Sequence, residues 1–166
     1  MRNEYTKEID IRRIGVNGSH YSLCADGNEC RLLAARFGIV RLNYLKAEVD
    51  VRLSDRDEYT VEGTFSASVR QVCGVTLEEF DNVLSGDFCE LFTTAPETKK
   101  DAELLSDEEI PTPIKNGVID IGEVVAETLA LNIPVFPRKP DAVFTYESNG
   151  KTEDDNPFSV LKKLKK

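Results

Sequence analysis

Leu45-Lys-Ala-Glu-Val-Asp-Val-Arg-Leu-Ser54 decides the fold. Leu45, Ala47, Val49, Val51 and Leu53 are apolar, and Lys46, Glu48, Asp50, Arg52 and Ser54 between them are polar. Side chains of a strand alternate between its two faces, so this is a strand with one buried and one wet face. The cluster Ser54-Asp-Arg-Asp-Glu58 reads as a hairpin loop, and alternation resumes beyond it. Val61, Phe65, Ala67 and Val69 face one way, and Glu62, Thr64, Ser66, Ser68 and Arg70 the other. Two-faced strands joined by short loops imply an antiparallel sheet.

Outward from this hairpin, Glu4–Ile14 reads as a strand, with Ile9, Ile11 and Ile14 among charged neighbours. Gly15 and Gly18 flank a turn, and Tyr21–Leu23 reads as a short returning strand. Leu33 and Phe37, four apart, place a helix over 29–38, with Gly38 as its stop. After a mostly polar stretch, Thr76 to Asn82, a third long strand is expected around Val83–Phe92. Asp120 is a good helix N-cap, and Glu123 suggests a capping box. Ile121, Val124, Val125 and Leu129 form the apolar stripe of a helix over 121–131, which Pro134 and Pro137 cannot continue. Pro134–Pro140 is expected to be extended. The expected class is α+β: an antiparallel sheet of five or six strands, open or barrel-like, with two packed helices.

The chain has 166 residues and a formal net charge of −9. Its length and its balance of apolar and charged residues fit one soluble domain over 1–150, followed by a basic tail over 151–166. No apolar run approaches the ~20 residues of a membrane helix, and no secretory leader is evident, so a cytoplasmic protein is expected. The charge is unevenly spread. Residues 1–60 hold 10 basic and 10 acidic side chains, residues 61–150 hold 6 and 17, and residues 151–166 hold 5 and 3. The acidity peaks at Glu97, Asp101, Glu103, Asp107, Glu108 and Glu109, where a mobile acidic loop is expected over about 95–115. This excludes a broadly basic RNA-coating protein but leaves room for a local basic contact.

The sequence carries little that suggests catalysis. Cys24, Cys30, Cys73 and Cys89 form no close pair of the kind that binds zinc, and they read as small core residues. Cys73 and Cys89 could face each other on neighbouring strands. His20 lies four residues before Cys24, with no third group marked to orient a base. No phosphate-cradling glycine loop and no RNA-stacking motif is present. No metal and no cofactor is expected. The candidate partner-binding residues are basic: Arg138 and Lys139 in the proline-rich segment, and Lys162, Lys163, Lys165 and Lys166 at the end. Lysines can pair with phosphates without reading sequence, and Phe158, Val160, Leu161 and Leu164 supply an apolar side beside them.

One ordered set of blocks resembles a known family. Gly63–Phe80, with Cys73-Gly-Val-Thr76 inside it, is followed by Phe88-Cys-Glu-Leu-Phe92, an acidic stretch, and Asp120-Ile-Gly-Glu123. Then come Leu129-Ala-Leu131, Pro134-Val-Phe-Pro-Arg-Lys-Pro140 and the ending Asn156-Pro-Phe-Ser-Val-Leu-Lys-Lys-Leu-Lys165. Over roughly 25–166 this resembles the YceD family of large ribosomal RNA subunit accumulation proteins, with an ending most similar to its alphaproteobacterial branch. The resemblance implies a non-enzymatic role in accumulation or maturation of 23S ribosomal RNA and so in large-subunit biogenesis. It implies 23S rRNA or a pre-ribosomal particle as partner, without a small-molecule substrate. A basic ribosomal protein, bound without direct RNA contact, is the alternative partner. Many relatives carry a C-x-x-C after the second long strand; here Cys73 is followed by Thr76 at the second cysteine's place.

Overall fold

The computed structural model describes residues 4–95 and 111–144. Three strands of equal length dominate: β3 (Arg41–Asp55), β4 (Glu58–Val72) and β5 (Glu79–Thr93). Before them come β1 (Glu8–Asp10), a single 3-10 turn at Ile11–Arg13, β2 (Ser19–Cys24) and helix α1 (Gly27–Phe37). After them come β6 (Thr112–Pro113), β7 (Val118–Asp120) and helix α2 (Ile121–Asn132). The main sheet has the order β2-β3-β4-β5-β6. Every pairing in it is antiparallel except the short parallel contact of β5 with β6.

The alternation places Leu45, Ala47, Val49 and Val51 of β3 opposite Ala67, Phe65, Gly63 and Val61 of β4 on one face. These residues and Leu33 of α1, Val125 and Leu129 of α2 form the core. Burial of each such Leu, Val or Phe stabilises the fold by about 1.5–3 kcal/mol before chain entropy is charged against it. Helix α1 lies against β3, and α2 lies against β1, β4 and β5, so both helices cover the same face. The α+β class and the antiparallel long strands agree with the sequence reading.

Several expectations are corrected. The sheet is open and does not close into a barrel. Closure needs the first and last strands to pair, whereas β2 and β6 occupy opposite edges. Residues 8–10 do not pair with 19–24 as a returning hairpin; β1 joins β7 in a separate two-stranded sheet, with Ile9 opposite Ile119. The β3–β4 loop is only Arg56 and Asp57, because Asp55 already pairs with Glu58. Leu53 keeps the alternation but stands exposed past the end of the core. The acidic loop expected over 95–115 is shorter at its end, since β6 begins at Thr112 and Lys115 bridges to Val118. Its residues 96–110, and the basic tail 151–166, lie outside the described residues.

Helix termini follow local chemistry. In α1 the Asp26 carboxylate accepts the amides of Asn28 and Glu29, and the Glu29 carboxylate accepts the amide of Asp26, a complete capping box. Gly38 closes the helix at φ +66°, a conformation glycine adopts without a Cβ clash. Asp120 caps α2 as expected, accepting the amides of Gly122 (3.1 Å) and Glu123 (3.2 Å). Glu123 does not complete a box; its carboxylate binds the Arg36 guanidinium of α1 at 2.9 Å instead. The same Asp120 oxygen also accepts the Lys7 amide at 2.8 Å, tying the N-terminal segment to α2. Asp120→Ala therefore strands three N–H groups. The expected cost is about 1–2 kcal/mol, or about 5 °C in melting temperature. Asp120→Asn should recover most of it, and faster exchange of the Lys7 amide in the alanine variant would locate the damage.

Candidate functional site

The wet face of the sheet carries polar side chains in register from β2 to β5. Strict register sets Ser22, Glu48, Thr64 and Asp87 side by side across β2 to β5, and His20, Asp50, Glu62 and Cys89 in the next row. His20 sits between two carboxylates, with Nδ1 2.8 Å from Asp50 and Nε2 3.0 Å from Glu48. Its pKa is raised, first by the hydrogen bond to Asp50, so the ring favours the cation and makes a poor general base. The Ser22 hydroxyl donates to Glu48, and Arg52 pairs with Glu62 at 2.7 Å. Asp87 has no partner among the described residues, and nothing basic lies on β5.

A second cluster forms where β4 ends. Cys73 is fully buried, and its Sγ accepts the amides of Val75 (3.4 Å), Thr76 (3.5 Å) and Lys139 (3.4 Å). This corner is closed by backbone bonds from Cys73 N–H to Glu78 and from Gly74 N–H to Pro137. The Lys139 amide, followed by the Thr76 hydroxyl and amide, pulls the thiol down to about 6. Hydrogen bonds to the thiolate stabilise it, and burial opposes them only in part. The sulfur is buried among these amides, and the arrangement anchors the 133–142 segment to the end of β4. Cys73 and Cys89 do not face each other: Cys89 pairs across from Glu62, far along β5. Among the described residues no group of three His, Cys, Asp or Glu could hold a metal ion.

The sign of a pH effect follows. A thiol pKa lowered by folding adds stability above its ordinary value near 9, and that stability is lost as pH falls through about 6. Unfolding free energy should rise from pH 6 to pH 9 more steeply in the parent than in Cys73→Ser. His20 contributes with the opposite sign, its share present below its ordinary 6.5 and lost as pH rises through its raised folded value. Urea unfolding of both proteins at the two pH values isolates the cysteine. Parallel curves would show that Cys73 does not titrate.

Next to this corner is a cavity of about 510 Å³ lined by Phe37, Ile39, Val72, Ile133 and Pro134, with Gln71 among them. Gln71 donates its amide to the Pro134 carbonyl at 3.2 Å, and its Oε1 is buried without a partner.

Of the basic candidates, two are described and both are engaged. Arg138 donates two guanidinium N–H groups to the Ala142 carbonyl, at 3.3 and 2.7 Å. Lys139 pairs with Glu78 at 3.1 Å, 61 residues away in sequence. These engagements are not legible in the sequence, because both depend on the 133–142 segment folding back onto the end of β4. Lys162, Lys163, Lys165 and Lys166 lie outside the described residues. No helix among the described residues is long and apolar enough to cross a membrane.

The model of one protein family matches residues 61–165, from β4 to the penultimate lysine; it is described as large ribosomal RNA subunit accumulation protein YceD. No curated protein and no solved structure matches the chain.

Proposed function

Since the chain belongs to the YceD family of large ribosomal RNA subunit accumulation proteins, we propose that it acts by binding, without catalysis, in the accumulation of 23S rRNA and assembly of the large subunit in the cytoplasm. The family match is the observation that carries this reading, because it spans β4, β5, α2 and the proline-rich segment as one ordered set. The described site supports binding over chemistry: its one histidine is held between carboxylates and its activated thiol is enclosed. The sheet and helices of residues 4–95 and 111–144 form a platform with an acidic wet face. The contact with rRNA phosphates is made by Lys162, Lys163, Lys165 and Lys166, with smaller shares from Arg138 and Lys139, whose donors are already engaged.

Each phosphate contact steepens the dependence of affinity on salt by about 0.7–0.9 in log–log slope. Changing the four terminal lysines to glutamine should weaken binding to 23S rRNA and flatten that slope by about 3. Unchanged affinity and slope would remove direct RNA contact from the account.

A second reading is favoured by the two central rows of the wet face, where Glu48, Asp50, Glu62 and Asp87 stand with His20 as the one basic side chain. On this reading the chain is an adaptor or chaperone for a basic ribosomal protein and touches no RNA. Crosslinking in cells, followed by separate recovery of RNA and protein, distinguishes the two.

A further inference from the structure

Among the described residues, the outer edge of β5 is long, free of register shifts and unpaired over most of its length. The β4–β5 pairing runs through 15 consecutive residue pairs without a register shift, whereas β3–β4 contains two. Beyond it, β6 covers only Phe92 and Thr93. Among the described residues no other segment hydrogen bonds to the backbone of 79–91. Backbone groups of successive residues point to opposite sides of a strand. The Thr94 amide bonds back to Asp57, and the Thr93 carbonyl accepts from Ile114 on the far side. The odd residues Asp81, Val83, Ser85, Asp87, Cys89 and Leu91 therefore turn their N–H and C=O groups outward.

Soluble proteins usually blunt such an edge with lysine, proline or a bulge. This strand has none of these. It carries Glu79, Asp81, Asp87 and Glu90 and no basic residue. Asp81 is taken by Arg70 at 2.7 Å, which leaves Glu79 and Asp87 without an ion pair among the described residues. The other face of the strand is also unfinished. The core-facing residues of β3 and β4 are buried, but Phe80, Leu84 and Phe88 on β5 are only half-buried, because no strand among the described residues pairs beyond them.

We propose that the edge of β5 over 79–91 is a docking edge for an extended basic segment of a partner protein, which adds to the sheet as a further strand. Main-chain hydrogen bonds to the odd residues supply the affinity, and side chains alternating along the segment supply the selection. Its apolar side chains complete the cover over Phe80, Leu84 and Phe88, and its cations meet Glu79 and Asp87. Antiparallel self-pairing centred on Leu84 would set Asp81 opposite Asp87, and like charges across a pair repel; pairing of two copies through β5 in any register is an outcome the test reads. The inference deepens the reading of this chain as a binding factor by naming how it would hold a basic protein.

The test uses the full chain and an amidated peptide of roughly nine residues alternating lysine and valine. In hydrogen exchange, the amides of Val83, Ser85, Asp87 and Cys89 should be fast in the free protein and slow by about tenfold at saturating peptide. A peptide alternating glutamate and valine, and a lysine peptide N-methylated at alternate residues, should give no protection. Ser85→Pro removes one outward N–H without touching the β4 ladder, and should abolish protection. Asp87→Lys leaves the backbone intact and should weaken peptide binding several-fold, which keeps the test valid if the proline variant misfolds. The proposal is overturned if those amides are already slow in the free protein, if the glutamate peptide binds as well, if protection falls on β2, or if the protein dimerises through β5. No ribosomal material enters this test, so its failure leaves the assembly role standing, and the converse holds.

Discussion

Gly63→Ala is expected to lower the melting temperature by roughly 10 °C, corresponding to about 3 kcal/mol or more. Gly63 lies mid-way along β4 between Val49 of β3 and Phe88 of β5. A Cβ there would come within 2.1 Å of the Glu48 carbonyl oxygen, 3.0 Å of the Val49 Cα and 3.0 Å of the Phe88 ring. Phe88 can turn aside, but the Glu48 carbonyl is part of the central ladder and moves only if β3 moves. Relief therefore requires separating the two strands that hold the core. Gly27→Ala is the control, since a Cβ at Gly27 meets nothing within 4 Å in the first turn of α1. Circular dichroism melts of the two variants give the comparison. A Gly63→Ala protein melting within about 2 °C of the parent would show that β3 and β4 are not so closely apposed.

Leu129→Ala should cost a similar amount, about 3 kcal/mol within the usual 2–5 for a buried leucine. Leu129 is fully buried on the face of α2 turned to the sheet. Its loss leaves a void between the helix and β4, and the α2 terminus is held elsewhere by small contacts such as the Lys7–Asp120 bond and the Arg36–Glu123 pair. Leu131→Ala, two residues on, removes a solvent-exposed side chain and should change stability by less than about 0.5 kcal/mol. Equal effects from the two substitutions would mean that α2 is not seated as described.

What could be read from the sequence was the short-range order. The alternation of Leu45–Ser54 and Val61–Arg70 placed both central strands and their buried faces, since one face against one core fixes the period. Asp120 was legible as a cap because capping is local. What could not be read depends on contacts distant in sequence. Three-residue strands such as β1 and β7 have too few positions to show a period, and their pairing joins residues 8–10 to 118–120. The barrel alternative stayed open because alternation describes faces and not edges. For the same reason the third long strand was legible around Val83–Phe92, but its neighbours, β4 along its whole length and β6 only at Phe92 and Thr93, were not. Arg138 and Lys139 were legible as basic residues; that their charges are turned to Ala142 and Glu78 was not, because the 133–142 segment folds back onto Cys73. The family resemblance, read over roughly 25–166, is matched by the family model over 61–165.

The central claim is that this acidic chain serves accumulation of the large-subunit RNA by riding on the assembling particle. Sucrose-gradient sedimentation of cell extracts, blotted for the protein and probed for 23S and 16S rRNA, tests it most directly. The account predicts that the protein travels with a particle containing 23S rRNA that sediments at or below the mature large subunit. In cells lacking the protein, the ratio of 23S to 16S rRNA should fall. A protein found only at the top of the gradient, with 23S rRNA unchanged by its loss, would contradict the account.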